Sequence, residues 1–356
     1  MTDLRVRALA LRNGFVAAGA RAVDPPVLQS ADLLLDLYGE DIRARAYVTS
    51  DAMRGEQMLR PDFTVPVVQM HMAHGAEPAR YTYAGEVFRR QEDDPDRASE
   101  YLQVGYEVFD RTDSAAADAE VFALIAHAVA PLGLRAATGD IGILMAAVDG
   151  LRASPRRKAA LRRHIWRPRR FRALLDRFGG RAPVPESRRV LLTGEGAAPV
   201  PLTGLRSASE VQARIDALIA DASEPALSAA EIDGLDALLA VRETLPFALA
   251  QLQDLSVDLP AIAPAVKRLD ARAAALAARG VDVDALEFES SYGRTSMEYY
   301  DGFVFGFYAE SRPDLPPVAT GGRYDALTRR LGGGAEIPAV GAVLRPDLMA
   351  LLEATR

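Results

Sequence analysis

Gln103, Gly105 and Glu107 in "YLQVGYEVF" set an amide, a bare backbone and a carboxylate two residues apart. On a strand, alternation puts these three and Phe109 on one face and Leu102, Val104, Tyr106 and Val108 on the other. The Cα atoms of Gln103 and Glu107 would then lie about 13 Å apart, with Gly105 leaving room between them. Such a row suits the floor of a pocket for a small polar ligand with an amino group; a solvent-facing sheet is the plainer alternative. "MEYYDGFVF" adds Glu298, Tyr299 and Tyr300 beside another strand. A tyrosine pair beside a carboxylate can hydrogen-bond to an imidazole or amine and stack on it, although two interfacial tyrosines at a strand start would look the same.

Other chemical patterns are weaker. His71 and His74 have the H-x-x-H spacing of metal sites, but no third ligand stands out, so no metal is expected. "TGEGAAP" (193–199) and "LGGGAE" (331–336) lack the lysine and spacing of a P-loop and read as turns. The run "RASPRRKAALRRHIWRPRRFR" (152–172) holds ten Lys/Arg and no acid. It could bind phosphate, RNA or an acidic partner; the reading preferred is the solvated face of an arginine-rich helix pair, with a protein partner ahead of RNA.

The elements that must position these residues follow from periodicity and breakers. Residues 3–19 read as a helix, ended by Gly19 and the "DPP" at 24–26. "ADLLLDLYG" (31–39) is a short amphipathic helix or turn, and "RAYVTSD" (45–51) a strand. "LRPDFTVPVVQMHMAHG" (59–75) turns at Pro61 and enters a helix, with Thr64 as N-cap and Pro66 in the first turn. Residues 79–90 and 100–110 form a long antiparallel hairpin across a polar loop, and 114–133 a helix. From about 150 to 260 the chain becomes helical and rich in Ala and Arg. Strands return at 285–293 and 299–310, and helices close the chain. Strands on both sides of a helical block predict one α+β core, 1–150 with 261–356, interrupted by a helical insertion, 151–260.

Composition narrows the class. The chain has 356 residues, is 49% apolar and carries a net charge of −7. That supports a full core and argues against nucleic-acid binding by the whole molecule. The absence of cysteine excludes disulfides, thiol catalysis and thiolate metal sites. Lys158 and Lys267 are the two lysines, which makes a lysine nucleophile a poor expectation. No apolar run of about 18 residues is seen, so no membrane span is expected. The first residues lack a signal-peptide core, and the expected location is the cytoplasm.

Three segments in order, "DPPVLQ", "YAGEVFRRQEDDPDRASEYLQVGYEVFD" and "GGRYDALTRRLGGGAEIPAVGAVLRPDLM", resemble the motifs of class II aminoacyl-tRNA synthetases. "LRPDFTVP", "LQVGYE" and "MEYYDGFVF" narrow the resemblance to histidyl-tRNA synthetase, over essentially the whole chain. It implies an antiparallel sheet flanked by helices, with a dimer formed through the segment around Pro25 and Pro26. It also implies a histidine site: Asp62 and Thr64 near the α-amino group, Gln103 and Glu107 on the strand that holds the amino acid, Tyr299 and Tyr300 near the imidazole. Arg89 in "FRR" falls at the arginine that reaches the carboxylate and the ATP phosphate. This is the pocket already suggested by alternation.

The catalytic parts depart from that pattern. Adenylation needs cations around the ATP phosphates. Gln91 stands where the motif has Glu, and the following loop holds Glu92, Asp93, Asp94, Asp96 and Glu100 against Arg97 alone. Such a loop would repel a triphosphate or a tRNA acceptor stem. Other motif arginines fall on Ser99, on Thr295 (with Arg294 one residue off register) and on Leu348. Arg345 is nearby but, on a helix, would point elsewhere. The chain also stops where an anticodon-binding domain would begin. A synthetase core with its amino-acid site, a damaged ATP site and no anticodon domain is similar to the ATP phosphoribosyltransferase regulatory subunit family.

That resemblance implies a catalytically silent protein without cofactor. It would bind the short-form ATP phosphoribosyltransferase catalytic subunit and confer feedback inhibition by histidine on the first step of histidine biosynthesis. The homodimer would sit in a hetero-octamer, with no tRNA binding. The alternatives are an active, truncated histidyl-tRNA synthetase-like ligase and a sensor of uncharged tRNA.

Overall fold

The computed structural model describes residues 2–38, 42–91, 97–193, 204–294 and 299–355. The hairpin forms as expected: Ala79–Phe88 and Glu100–Phe109 pair antiparallel throughout, from Ala79 opposite Phe109 to Phe88 opposite Glu100. Both faces of the second strand are buried, Val104, Tyr106 and Val108 on one side and Gln103, Glu107 and Phe109 on the other. The solvent-facing alternative is thereby excluded.

This hairpin lies near one edge of a nine-stranded sheet. In spatial order its strands are Arg21–Ala22, Ala79–Phe88, Glu100–Phe109, Ala339–Leu344, Ala319–Arg323, Phe303–Tyr308, Arg135–Asp140, Glu287–Glu289 and Arg242–Thr244. Pairing is antiparallel except between Arg21–Ala22 and Ala79–Phe88, and between Arg135–Asp140 and Glu287–Glu289. The strands expected at 285–293 and 299–310 shorten to Glu287–Glu289 and Phe303–Tyr308. A second sheet joins Leu28–Ser30, Gly55–Leu59 and Val48–Asp51.

Helices cover the sheet. Ser114–Val129 is capped by Asp113, whose carboxylate accepts from Ala116 N at 2.9 Å. Its Phe122 meets Phe303, Phe305 and Phe307, the residues that alternation places on one face of their strand. By length and composition the helix Ser114–Leu132 could cross a membrane, contrary to the expectation from apolar runs. Here its apolar side packs on the sheet, and its Asp118 is buried with two guanidiniums. Asp118 accepts from Arg272 at 2.8 Å, on the helix Ala263–Ala278, and from Arg323 at 2.6 Å. Arg272 also reaches Asp140 at 2.9 Å.

Within the expected insertion lie the helices Pro155–Arg163, Pro168–Phe178, Glu186–Thr193, Ala208–Ser223 and Ala229–Ala240, of which the first, second and fifth bury Leu161, Phe171, Leu175, Ile232 and Leu235. The insertion does not separate at 260. Arg242–Thr244 pairs with Glu287–Glu289 and so belongs to the main sheet. Three residues are too few for an alternation signal, which is why the stretch reads as helical in sequence. Much of the basic run is occupied. Arg157 pairs with Asp221 at 2.9 Å, Arg162 with Asp149 at 2.6 Å and Arg172 with Asp176 at 3.3 Å.

Two local expectations change. Thr64 is the first residue of the helix Thr64–His74 and not its cap, because Phe63 holds the cap position. Arg345 is not helical: with φ −111° and ψ 94° it is extended, immediately before the helix Pro346–Ala354. Proline at 346 disfavours a helical conformation for the residue before it.

Candidate functional site

A cavity of about 310 Å³ opens where the start of the helix Thr64–His74, the strand Glu100–Phe109 and the segment before Phe303 converge. Six of the seven expected residues line it: Asp62, Thr64, Arg89, Gln103, Tyr299 and Tyr300. The seventh, Glu107, lies beneath the floor.

The polar groups of the cavity are graded. Gln103 is 3% exposed, and its Oε1 has no hydrogen-bond partner among the described residues. Buried amide oxygens are normally satisfied, so this one marks a place for a donor. Asp62 is buried alongside, its Oδ1 3.3 Å from the amide of Val65. Arg89 is braced by the hydrogen bond from its Nε to Pro61 O at 2.7 Å. The rings of Tyr299 and Tyr300 meet edge-to-face with centroids 4.9 Å apart, and burial raises the pKa of Tyr300 above the ordinary phenol value. Tyr300 is therefore a neutral donor at physiological pH.

Glu107 accepts three hydrogen bonds. Thr64 Oγ1 donates at 3.0 Å, Tyr83 OH at 2.9 Å and Tyr324 OH at 2.5 Å. Complete burial pushes its carboxyl up to about 7; the three hydroxyls pull the other way, and the nearby Asp62 adds to the rise. Opposite it, a Cβ at Gly341 would fall 1.4 Å from Oε2. Only glycine leaves this carboxylate its place. Gly105 plays another part than expected. The phenol of Tyr83, its partner across the hairpin, fills the space above it, since a Cβ there would be 2.2 Å from the Tyr83 hydroxyl.

Arg45, Tyr101 and Arg345 also line the cavity and have no site role in the sequence reading. The Arg345 guanidinium lies 4.2 Å from the centre of the Tyr101 ring and that of Arg89 5.9 Å away. Arg345 is also bonded to Asp347 at 2.9 Å. Leu348, which stands for a motif arginine, is 6% exposed and packs into the core. Arg294 turns away from this cavity, its Nε donating to Ile165 O at 2.9 Å. Glu92, Asp93, Asp94, Asp96, Thr295 and Glu298 lie outside the described residues, as do most of 193–199 and the His74 side chain. His71 is structural: Nδ1 is 3.0 Å from Tyr81 OH, and the ring stacks on Phe109 at 4.0 Å.

The cavity offers acceptors at Asp62 and Gln103, guanidiniums at Arg89 and Arg345, and an aromatic wall. That set fits a zwitterion with a flat polar side chain. It is less suited to a nucleobase, because the Tyr101 ring that could stack on one already carries a guanidinium.

Comparison with known proteins places this geometry in context. Residues 4–349 match the histidyl-tRNA synthetase family model. The chain is 33% identical to the ATP phosphoribosyltransferase regulatory subunit of Brucella ovis, covering 93% of both chains. The same identity is found with the subunit of that name in Brucella abortus, over 93% of this chain and 92% of that one. Among solved structures, an ATP phosphoribosyltransferase regulatory subunit/histidyl-tRNA synthetase from Bacillus halodurans superposes with a TM-score of 0.68. It is 21% identical, over 99% of this chain and 79% of that one. A histidine–tRNA ligase subunit from Alicyclobacillus acidocaldarius gives 0.60 at 25% identity, over 99% and 93%.

Proposed function

Because the chain belongs to the family of ATP phosphoribosyltransferase regulatory subunits, which share the histidyl-tRNA synthetase fold, we propose that it is the non-catalytic, histidine-sensing partner of a short-form catalytic subunit. It supports the first step of histidine biosynthesis, in the cytoplasm. The observation that carries the sensing role is the cavity. The Gln103 carbonyl and Asp62 take the α-ammonium, Arg89 and Arg345 the carboxylate, and Tyr299 and Tyr300 the imidazole. Glu107 holds Thr64 in place from below.

The route from binding to inhibition is linkage. Histidine binds one state of the complex more tightly, and the difference in affinity biases the catalytic subunit toward its inactive arrangement. The buried Leu348 and the covered Tyr101 ring support a protein that does not activate its amino acid. The pairing of the basic run supports the reading without tRNA. Leu28 and Val48 on the small three-stranded sheet and Met53 in the turn between two of its strands are 44%, 45% and 93% exposed, an apolar surface consistent with a homodimer formed near Pro25 and Pro26 inside a hetero-octamer.

Calorimetric titration of the purified complex with histidine tests the reading. Saturable binding that Gln103→Ala weakens is expected; unchanged binding would remove histidine from this cavity. Histidine-dependent pyrophosphate exchange with ATP is expected to be absent, and clear exchange would establish the truncated ligase instead.

A further inference from the structure

A second cavity, of about 670 Å³, lies on the other side of Tyr300, between the inserted helices and the sheet. It shares Tyr300, Pro317 and Thr320 with the first and is otherwise built from different residues, among them Tyr292, Arg294, Phe305 and Tyr308. Its size is that of ordinary small-molecule sites.

Arg294 is the group that needs explaining. It is 6% exposed, and its guanidinium lies over the Phe171 ring at 4.9 Å. Nε is satisfied by Ile165 O, but Nη2 is buried with no hydrogen-bond partner among the described residues. Among the described residues no carboxylate pairs with it, and burial alone lowers its pKa. A buried guanidinium without a counter-charge is costly; an oxyanion bound at Nη2 would offset that cost. Glu289, the carboxylate in the lining, is engaged by Ser291 and, at 3.8 Å, by Arg242. In the same lining the hydroxyls of Tyr292 and Tyr308 are 2.9 Å apart. One donates to the other, so one proton of the pair stays available to an acceptor. Val304, Phe305 and Pro317 supply an apolar wall.

We propose that this cavity is a second ligand site, for a small molecule that carries an oxyanion on a flat aromatic body. The oxyanion meets Arg294 and the tyrosine hydroxyls, and the flat body lies along Phe305 and Pro317. Carboxylate and phosphoryl groups share this chemistry, and the probes separate them.

Trp166, the one tryptophan of the chain, sits between Ile165, which holds Arg294, and Pro168, which lines the cavity. Its fluorescence is a native reporter. The full-length protein is titrated with benzoate, phenyl phosphate and inorganic phosphate. A saturable change with benzoate or phenyl phosphate, and a weaker one with inorganic phosphate, is expected. Arg294→Gln should weaken the response about ten- to a hundredfold, the worth of a charge-assisted hydrogen bond. Tyr308→Phe, which leaves the insertion contact intact, should weaken it several-fold and keeps the test decisive if the first variant fails to fold. No saturable response from the wild type overturns the proposal. So does a response that survives Arg294→Gln and Tyr308→Phe but disappears with Arg345→Gln, which would place the probe in the first cavity.

Discussion

Replacing Glu107 by Gln should make the protein more stable at neutral and alkaline pH and change little in acid. Glutamine keeps the shape of the side chain and mimics its protonated form. Oε1 still accepts from Thr64 and Tyr83, and the amide nitrogen faces the Tyr324 oxygen. The wild-type carboxyl titrates at about 7 in the fold against an ordinary 4.5. A carboxyl with the higher pKa in the folded state binds more protons there, so stability falls as pH rises between the two values. Below the lower value both states are protonated and the full contribution is present. Above the upper value both are ionised and it has been lost. At about 1.4 kcal/mol per tenfold change in proton affinity, the loss is about 3 kcal/mol. Burial is complete, so solvent screening does not reduce it. Burial also raises Asp301 to about 7, but Asp301 is common to both proteins and cancels in the difference. Equilibrium urea unfolding of wild type and Glu107→Gln at several points between about pH 5 and pH 8 reads the effect. The gap should move in favour of the variant by about 3 kcal/mol across that range. A gap independent of pH, or one moving the other way, would refute the protonated, three-hydroxyl picture of this carboxyl.

Gly341→Ala puts a methyl group into Glu107 Oε2, and thermal unfolding should show a loss of about 3 kcal/mol or more, the upper end for overpacking. Asp118→Ala leaves Arg272 and Arg323 buried without their shared counter-charge; denaturant unfolding should report a loss of about 3–5 kcal/mol. Gln103→Leu removes an oxygen that has no hydrogen-bond partner among the described residues. Stability should therefore stay within about 1 kcal/mol, while calorimetry shows histidine binding weakened about tenfold or more.

Alternation along 100–109 and the position of Tyr299 and Tyr300 before a strand pick out Gln103, Tyr299 and Tyr300 of the cavity lining; Asp62, Thr64 and Arg89 follow from the resemblance to histidyl-tRNA synthetase alone. What sequence could not supply was pairing register. Tyr83 and Tyr324 reach Glu107 because their segments are placed on either side of its strand by contacts across 24 and 217 residues. The glycine at 105 therefore looked like room for a ligand when it is room for Tyr83. Arg345 was misread for a local reason. The closing helix was extended back through a proline, which turned a cavity-facing arginine away.

The strand order bears on synthesis. Ala339–Leu344, Ala319–Arg323 and Phe303–Tyr308 lie between Glu100–Phe109 and Arg135–Asp140 in the sheet. A ribosome makes the outer members first and must add about 230 residues between the end of the hairpin and its last neighbour. At 5–20 residues per second that takes on the order of ten to fifty seconds. Through that interval the nascent hairpin has one open hydrogen-bonding edge and no covering strand. The inserted helices, whose apolar contacts lie close together in the chain, can pack meanwhile. Synthesis thus leaves the half-built sheet as the species most exposed to chaperones and to aggregation, and slower elongation after residue 110 would lengthen that exposure.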